Sequence, residues 1–174
     1  KNGEKTAKEK EIAENQAAIT KDTQELQDLN DRLTGYQTDP ATGVDGDLLI
    51  QLREVQGEIN ATRVRELRNS LNGIYGKDKD QYARDRATVT NSMNNGIDIN
   101  TTDTNLVQLR ELIVLEGAQT EYNRLSAERT ALPKAIQAKT DEITTLTANQ
   151  TALTLERTAL EVLIAPLAQK KLAR

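Results

Sequence analysis

Aliphatic side chains return at every seventh position near the start of the chain. Ile12, Ile19, Leu26 and Leu33 fill one heptad position, and Leu29 and Tyr36 follow the last two by three residues. A seven-residue apolar repeat marks a helix that packs along one seam against another helix. Asn15 and Asp22 occupy the second seam position earlier, so the seam weakens toward the N-terminus. Thr6 followed by Glu9 has the spacing of a capping box, and together these features predict a first helix over about residues 6–35.

Gly35, Asp39, Pro40, Gly43, Asp45 and Gly46 then crowd into a stretch that a helix cannot cross cheaply, which predicts a loop. A second helix is expected over about 47–93, with Asp47 as its N-cap and carrying Leu48, Leu52, Val55 and Ile59, then Val64, Leu67, Leu71 and Ile74. The slip in spacing between Ile59 and Val64 reads as an apolar stripe rotating around one helix, and Asn72, Gly73 and Gly76 as a break near 72–80. Asp78 or Asp80 is the expected cap of a short further helical stretch through Tyr82, Val89 and Met93. Residues 94–105 read as a second polar loop in which Ile97 and Ile99 alternate like a short extended piece.

The third helix is expected over about 105–172, opening with Asn105 and Gln108 as a second capping box. One of its heptad positions reads Leu125, Leu132, Lys139, Leu146, Leu153, Leu160, Leu167; the other reads Tyr122, Arg129, Ile136, Ile143, Gln150, Arg157, Ile164. Residues 125–136 and 153–164 share Leu, Glu-Arg-Thr-Ala-Leu and Ile at an offset of 28, which is four heptads and points to duplication of a coiled-coil block. Pro133 interrupts backbone hydrogen bonding, but the register holds across it, so a kink rather than a reversal is expected. Lys170, Lys171 and Arg174 place positive charge at the negative end of the helix dipole.

These elements predict an all-α protein: one elongated module over 1–174, an antiparallel bundle or coiled coil of three long helices running up, down and up, the last one kinked. The seam is expected to consist of Ile12, Ile19, Leu26, Leu33, Leu125, Leu132, Ile136, Ile143, Leu146, Leu153, Leu160, Ile164 and Leu167. Because the third helix outruns the second, part of its stripe calls for cover from another chain. The polar seam residues Arg129, Lys139, Gln150 and Arg157 either fix register and partner number or extend to solvent at the edge of the stripe.

Composition reinforces the picture. There is no Phe, Trp, Cys or His, and the four Tyr are the only aromatics, so the core must be a thin aliphatic one. A net charge of −4 argues against a nucleic-acid partner, and the Lys1, Lys5, Lys8, Lys10 cluster interleaves with Glu4, Glu9, Glu11 and Glu14 as on a solvated helix face. The longest apolar runs, such as Val162 to Ala168, fall far short of a membrane span. The chain starts at Lys1, as a processed protein or an excised fragment would, and the lack of cysteine leaves the compartment open, with an extracytoplasmic or virion setting favoured.

Candidate chemistry is sparse. Loss of His and Cys removes the commonest general base, metal ligand and strong nucleophile, and Ser70, Ser92 and Ser126 lie in no nucleophile motif. An enzyme would need two acids brought together near Tyr75 or Tyr82. Asp39, Asp45 and Asp47, and Asp98, Asn100 and Asp103, do not follow a calcium-loop pattern and read as caps and turns. The Asn-x-Thr sequences at Asn60, Asn100 and Asn149 arise readily by chance. The expectation is therefore a non-enzymatic structural subunit of a virion, pilus, secretion apparatus or similar assembly. It needs no cofactor or metal, and its partners are protein, either copies of itself or neighbouring subunits. The alternative is an adaptor or chaperone-like module that binds a partner's amphipathic helix.

Overall fold

The structure, a computed structural model, describes residues 2–99 and 102–172, with side chains described as far as residue 166. Among the described residues the protein is all-α. Five helices follow one another: α1 (Asn2–Gly35), α2 (Asp47–Glu58), α3 (Ala61–Tyr75), α4 (Lys79–Asn94) and α5 (Thr104–Leu172). Extended pairing among those residues is confined to a single bridge between Thr38 and Asp45. The chain divides into two compact units. Lys1–Gly35 with Arg129–Arg174 form unit 1, and Tyr36–Glu128 form unit 2.

Helix α1 begins at Asn2, not at Thr6. The Thr6 hydroxyl donates to the Asn2 carbonyl at 3.0 Å, the bond of a residue already inside a helix, so the expected capping box does not form. The expected second helix over 47–93 is three helices. Ile59 leaves helical geometry with ψ 129°, and Asn60 caps α3 by accepting the Arg63 N–H at 3.0 Å. A capping side chain at the slip in spacing ends one helix and starts another, which a rotating stripe does not anticipate. The second break is narrower than expected. Gly73 stays helical, and the chain turns at Gly76, whose φ of +56° favours glycine. Asp78 then caps α4 through the Gln81 N–H.

Helix α5 starts one residue before expectation, and Asp103 is its cap, accepting the N–H groups of Asn105 at 3.0 Å and Leu106 at 3.4 Å. Gln108 is not part of a capping box; its side chain accepts the Ser70 hydroxyl at 2.7 Å. The helix runs without interruption through Pro133 and Pro166, so the chain does not turn back at Pro133.

Unit 2 holds the deepest burial. Leu67 and Leu71 of α3, Val89 of α4, Ile99 of the following loop, and Leu109 and Leu112 of α5 form one buried cluster, with Val64, Tyr75, Tyr82, Leu106, Ile113 and Leu115 packed around it. Leu49, Leu52 and Val55 of α2 are buried as well, at the three-residue spacing of one helix face. Leu49 takes the inward place expected of Leu48, whereas Ile74 and Met93 are exposed. Tyr36 is completely buried, and its hydroxyl donates to Glu128 at 2.6 Å. The Tyr75 and Tyr82 rings meet edge to face with centroids 5.4 Å apart.

Truncating Leu109 or Leu112 to Ala leaves a void in this cluster and should cost about 2–5 kcal/mol. Ile97→Ala, at a side chain 63% exposed, should change stability by less than about 0.5 kcal/mol. Urea unfolding of the three variants measures both.

Candidate helix-packing interface

Unit 1 is built from α1 and the part of α5 from Arg129 onward. On α1 the half-buried positions include Lys5, Lys8, Ile12, Asn15, Ile19, Asp22, Leu26, Leu29 and Leu33, spaced alternately by three and four residues. The matching row on α5 comprises Leu132, Ile136, Lys139, Ile143, Leu146, Gln150, Leu153, Arg157, Leu160 and Ile164. Alternation of three and four is the seam of a two-helix coiled coil. Among the described residues of unit 1, Leu132 alone is buried outright, at 5% exposure; on α1 no residue is.

Polar contacts fix the direction of the pair. Lys5 lies 3.6 Å from Glu161 and Lys8 lies 2.6 Å from Glu156. The Asn15 amide donates at 2.8 Å both to Gln150 and to the Leu146 carbonyl. Lys139 donates to Glu25 at 2.7 Å and to Asp22 at 3.5 Å, and on its own helix to Glu142 at 3.0 Å. Partner numbers on α5 fall as those on α1 rise, so the two helices are antiparallel. This corrects the up, down and up arrangement, which would set the first and third helices parallel. The chain's own α1 lies along a stripe expected to need another chain, and leaves its residues half-buried.

The expected seam residues are thus distributed unevenly. Ile12, Ile19, Leu26 and Leu33 share unit 1 with Leu132, Ile136, Ile143, Leu146, Leu153, Leu160 and Ile164, whereas Leu125 is completely buried in unit 2. Leu167, together with the expected terminal cations Lys170, Lys171 and Arg174, lies outside the residues with described side chains. The polar seam residues divide between their two readings. Lys139 and Gln150 find partners across the seam, Arg129 is exposed, and Arg157 Nε is buried, without a hydrogen bond, 3.9 Å from Glu161. Sequence reasoning missed Lys5, Lys8 and Glu25 as cross-helix partners. The signal was there for the lysines: Lys8 and Lys5 continue the three-and-four spacing back from Ile12.

Hydrogen bonding to Glu25, and then to Glu142, raises the Lys139 amine above its ordinary value of 10.5. Reciprocally, the bond from Lys139 holds the Glu142 carboxyl below its ordinary 4.5. Both shifts favour the charged pair.

Elsewhere polar groups serve the scaffold. Asp39 accepts the Ala41 N–H at 2.8 Å, and Asp45 accepts the Thr38 hydroxyl at 2.6 Å and pairs with Arg53; Asp47, expected as the cap of α2, is its first helical residue, with Gly46 in the cap position and no side-chain cap bond. Asp103 caps α5, and Asn100 lies outside the described residues. Ser92 bonds the Thr88 carbonyl. Near Tyr75 and Tyr82, Asp85 accepts the Tyr75 hydroxyl at 2.6 Å and the Gln81 amide at 2.8 Å, and Asp103 lies close enough to act on the same hydroxyl electrostatically. Burial, and then this bond, push the Tyr75 hydroxyl well above its usual range, so it stays protonated. Arg63 grips Glu111 with two bonds of 2.6 and 2.8 Å, joining α3 to α5.

Comparison with protein-family models, with curated proteins and with solved structures returns no match. Among the described residues no helix is long and apolar enough to cross a membrane.

Two measurements test the seam. Replacing Asn15 and Gln150 together by Leu should raise the melting temperature while loosening register, because a polar layer specifies alignment at a cost in stability. Circular dichroism reads the first effect. The second appears as a broader distance distribution between spin labels at Lys21→Cys and Asp141→Cys, made cleanly in a chain without cysteine. Acid should weaken the Lys139–Glu142 bond within α5 that holds the Lys139 amine beside the seam. A depressed Glu142 contributes stability that is present above 4.5 and lost as pH falls through its folded value, while Lys139 contributes steadily below 10.5. Thermal stability should therefore decline on acidification below 4.5, and less steeply in Lys139→Met.

Proposed function

We propose that this chain is a non-enzymatic structural subunit of a larger assembly, a virion, pilus, secretion apparatus or similar particle, and that it works through helix–helix association. The observation that carries this reading is the incompletely buried seam between α1 and α5, where Ile12, Ile19, Leu146, Leu153 and Leu160 all remain half-buried. A two-helix pair shields each seam residue on one side only, and further helices from neighbouring subunits would complete the burial. The long seam, the helix-forming alphabet and the scaffold roles of the polar clusters all favour a construction part over a catalyst. In this reading the partners are copies of the chain or adjacent subunits.

A groove of about 470 Å³ favours a second reading. It is lined by Ala7, Ala159, Leu160 and Leu163 with Glu4, Lys8, Glu11 and Glu156, a mixture suited to one amphipathic helix of another protein. As an adaptor of that kind the isolated chain would be a monomer.

Size-exclusion chromatography with light scattering separates the two. The subunit reading expects an integral multiple of the chain mass that grows with concentration. A stable monomer at micromolar concentration counts against it and in favour of the adaptor.

A further inference from the structure

A groove of about 540 Å³ lies between α3 and α5 within unit 2. The half-buried Val64 and Leu115 give it an aliphatic lining, and Arg65 and Arg68 line it one helical turn apart. Among the described residues neither arginine has a hydrogen bond or an ion pair. Elsewhere in the unit Arg53, Arg63, Arg86 and Arg124 each meet a carboxylate. No acid stands three or four places from Arg65 or Arg68, so the two arginines are each other's charged neighbours on α3, a like-charge pair that weakens a helix. The acid in the groove wall, Glu116, is paired with Arg86 at 3.3 Å.

Amides supply the remaining polar lining. Asn60 spends its oxygen on the Arg63 N–H, which leaves its amide hydrogens to donate; Gln119 spends its amide hydrogens on Asn123, which leaves its oxygen to accept. Asn69 and Asn72 line the same groove, and among the described residues their side chains have no partner. Asn60 also marks the positive end of the α3 dipole.

We infer that this groove binds a small phosphate monoester with a hydroxylated body, a sugar phosphate in chemical class. Two guanidinium groups without partners call for an anion of nearly two charges, which a phosphate monoester carries at neutral pH and a single carboxylate does not. Amides that donate and accept match hydroxyl groups, and among the described residues no aromatic ring lines the groove to stack a nucleobase. The volume is that of a small-molecule site. The inference stands apart from the subunit reading, since neither the groove nor its test involves a second copy.

Isothermal titration calorimetry of the full chain with glucose 6-phosphate at physiological salt tests the site. Binding should saturate below about 10 mM, with inorganic phosphate weaker by about ten-fold or more and glucose not binding. Arg65→Gln combined with Arg68→Gln should weaken binding by about ten-fold or more, whereas Arg110→Gln, at an exposed position outside the groove, should leave it unchanged. Nuclear magnetic resonance of the unaltered chain makes the answer independent of how any variant folds: glucose 6-phosphate should shift the side-chain amide signals of Asn69 and Asn72 and leave that of Asn15 in place. Absence of saturable binding, equal affinity for inorganic phosphate, or an equal loss in Arg110→Gln would overturn the assignment.

Discussion

Two helices that meet along a single seam can hide each seam residue from one side only. Unit 1 lives under that constraint. Its aliphatic residues alternate in good order on both α1 and α5, and still only Leu132 among the described ones is withdrawn from solvent. Hydrophobic burial holds such a pair together without strongly preferring one alignment, since each Leu or Ile fits many neighbours equally well. Alignment falls to groups that discriminate: the Asn15 amide on Gln150 and the Leu146 carbonyl, and the Lys139 amine between Asp22 and Glu25. A shift of one heptad would break both sets of contacts: Asn15 would meet Arg157 or Ile143 in place of Gln150, and Lys139 would lose both Asp22 and Glu25.

Unit 2 uses the same alphabet to a different end. The breaks that separate α3 and α4 turn successive faces inward, and with Ile99 and the first part of α5 these helices enclose Leu67, Val89, Leu109 and Leu112 almost completely. The shortage of aromatic rings is met by concentrating three of the four: Tyr36 is buried with its hydroxyl on Glu128, and Tyr75 and Tyr82 pack against each other at the cluster's edge. A buried tyrosine needs a partner for its hydroxyl, and two of the acids that make this chain negative supply one, Glu128 to Tyr36 and Asp85 to Tyr75.

Periodicity made the helices legible, because a seven-residue aliphatic repeat has few other meanings. The long course of α5 and the apolar positions along it could be read from spacing alone. The breaks could not be read as well. At Ile59 and Asn60 the same slip in spacing describes a rotating stripe or two helices, and the choice turns on whether Asn60 reaches the Arg63 N–H, a fact of geometry rather than pattern. Pairing was less legible still, since chain order suggests an up, down and up course. What sets α1 against the far part of α5 is a set of contacts between residues more than a hundred positions apart, such as Lys139 with Glu25. Asn15 and Asp22 look like defects in the α1 seam until Gln150 and Lys139 are found opposite them.

The internal repeat shows how far environment, not sequence, decides what a residue does. Leu125 and Leu153 occupy equivalent places in the two copies, and the first is completely buried whereas the second is half-buried. Glu128 and Glu156 are likewise equivalent: one accepts the Tyr36 hydroxyl and the other the Lys8 amine. The two equivalent carboxylates therefore meet different chemistry, each within its own unit. Arg129 is exposed and its counterpart Arg157 has a buried Nε. A duplicated heptad block supplies the same side chains twice, and the apposed segment, polar-rich near Lys8 and aromatic at Tyr36, determines whether a given carboxylate ends in an ion pair or against a phenol.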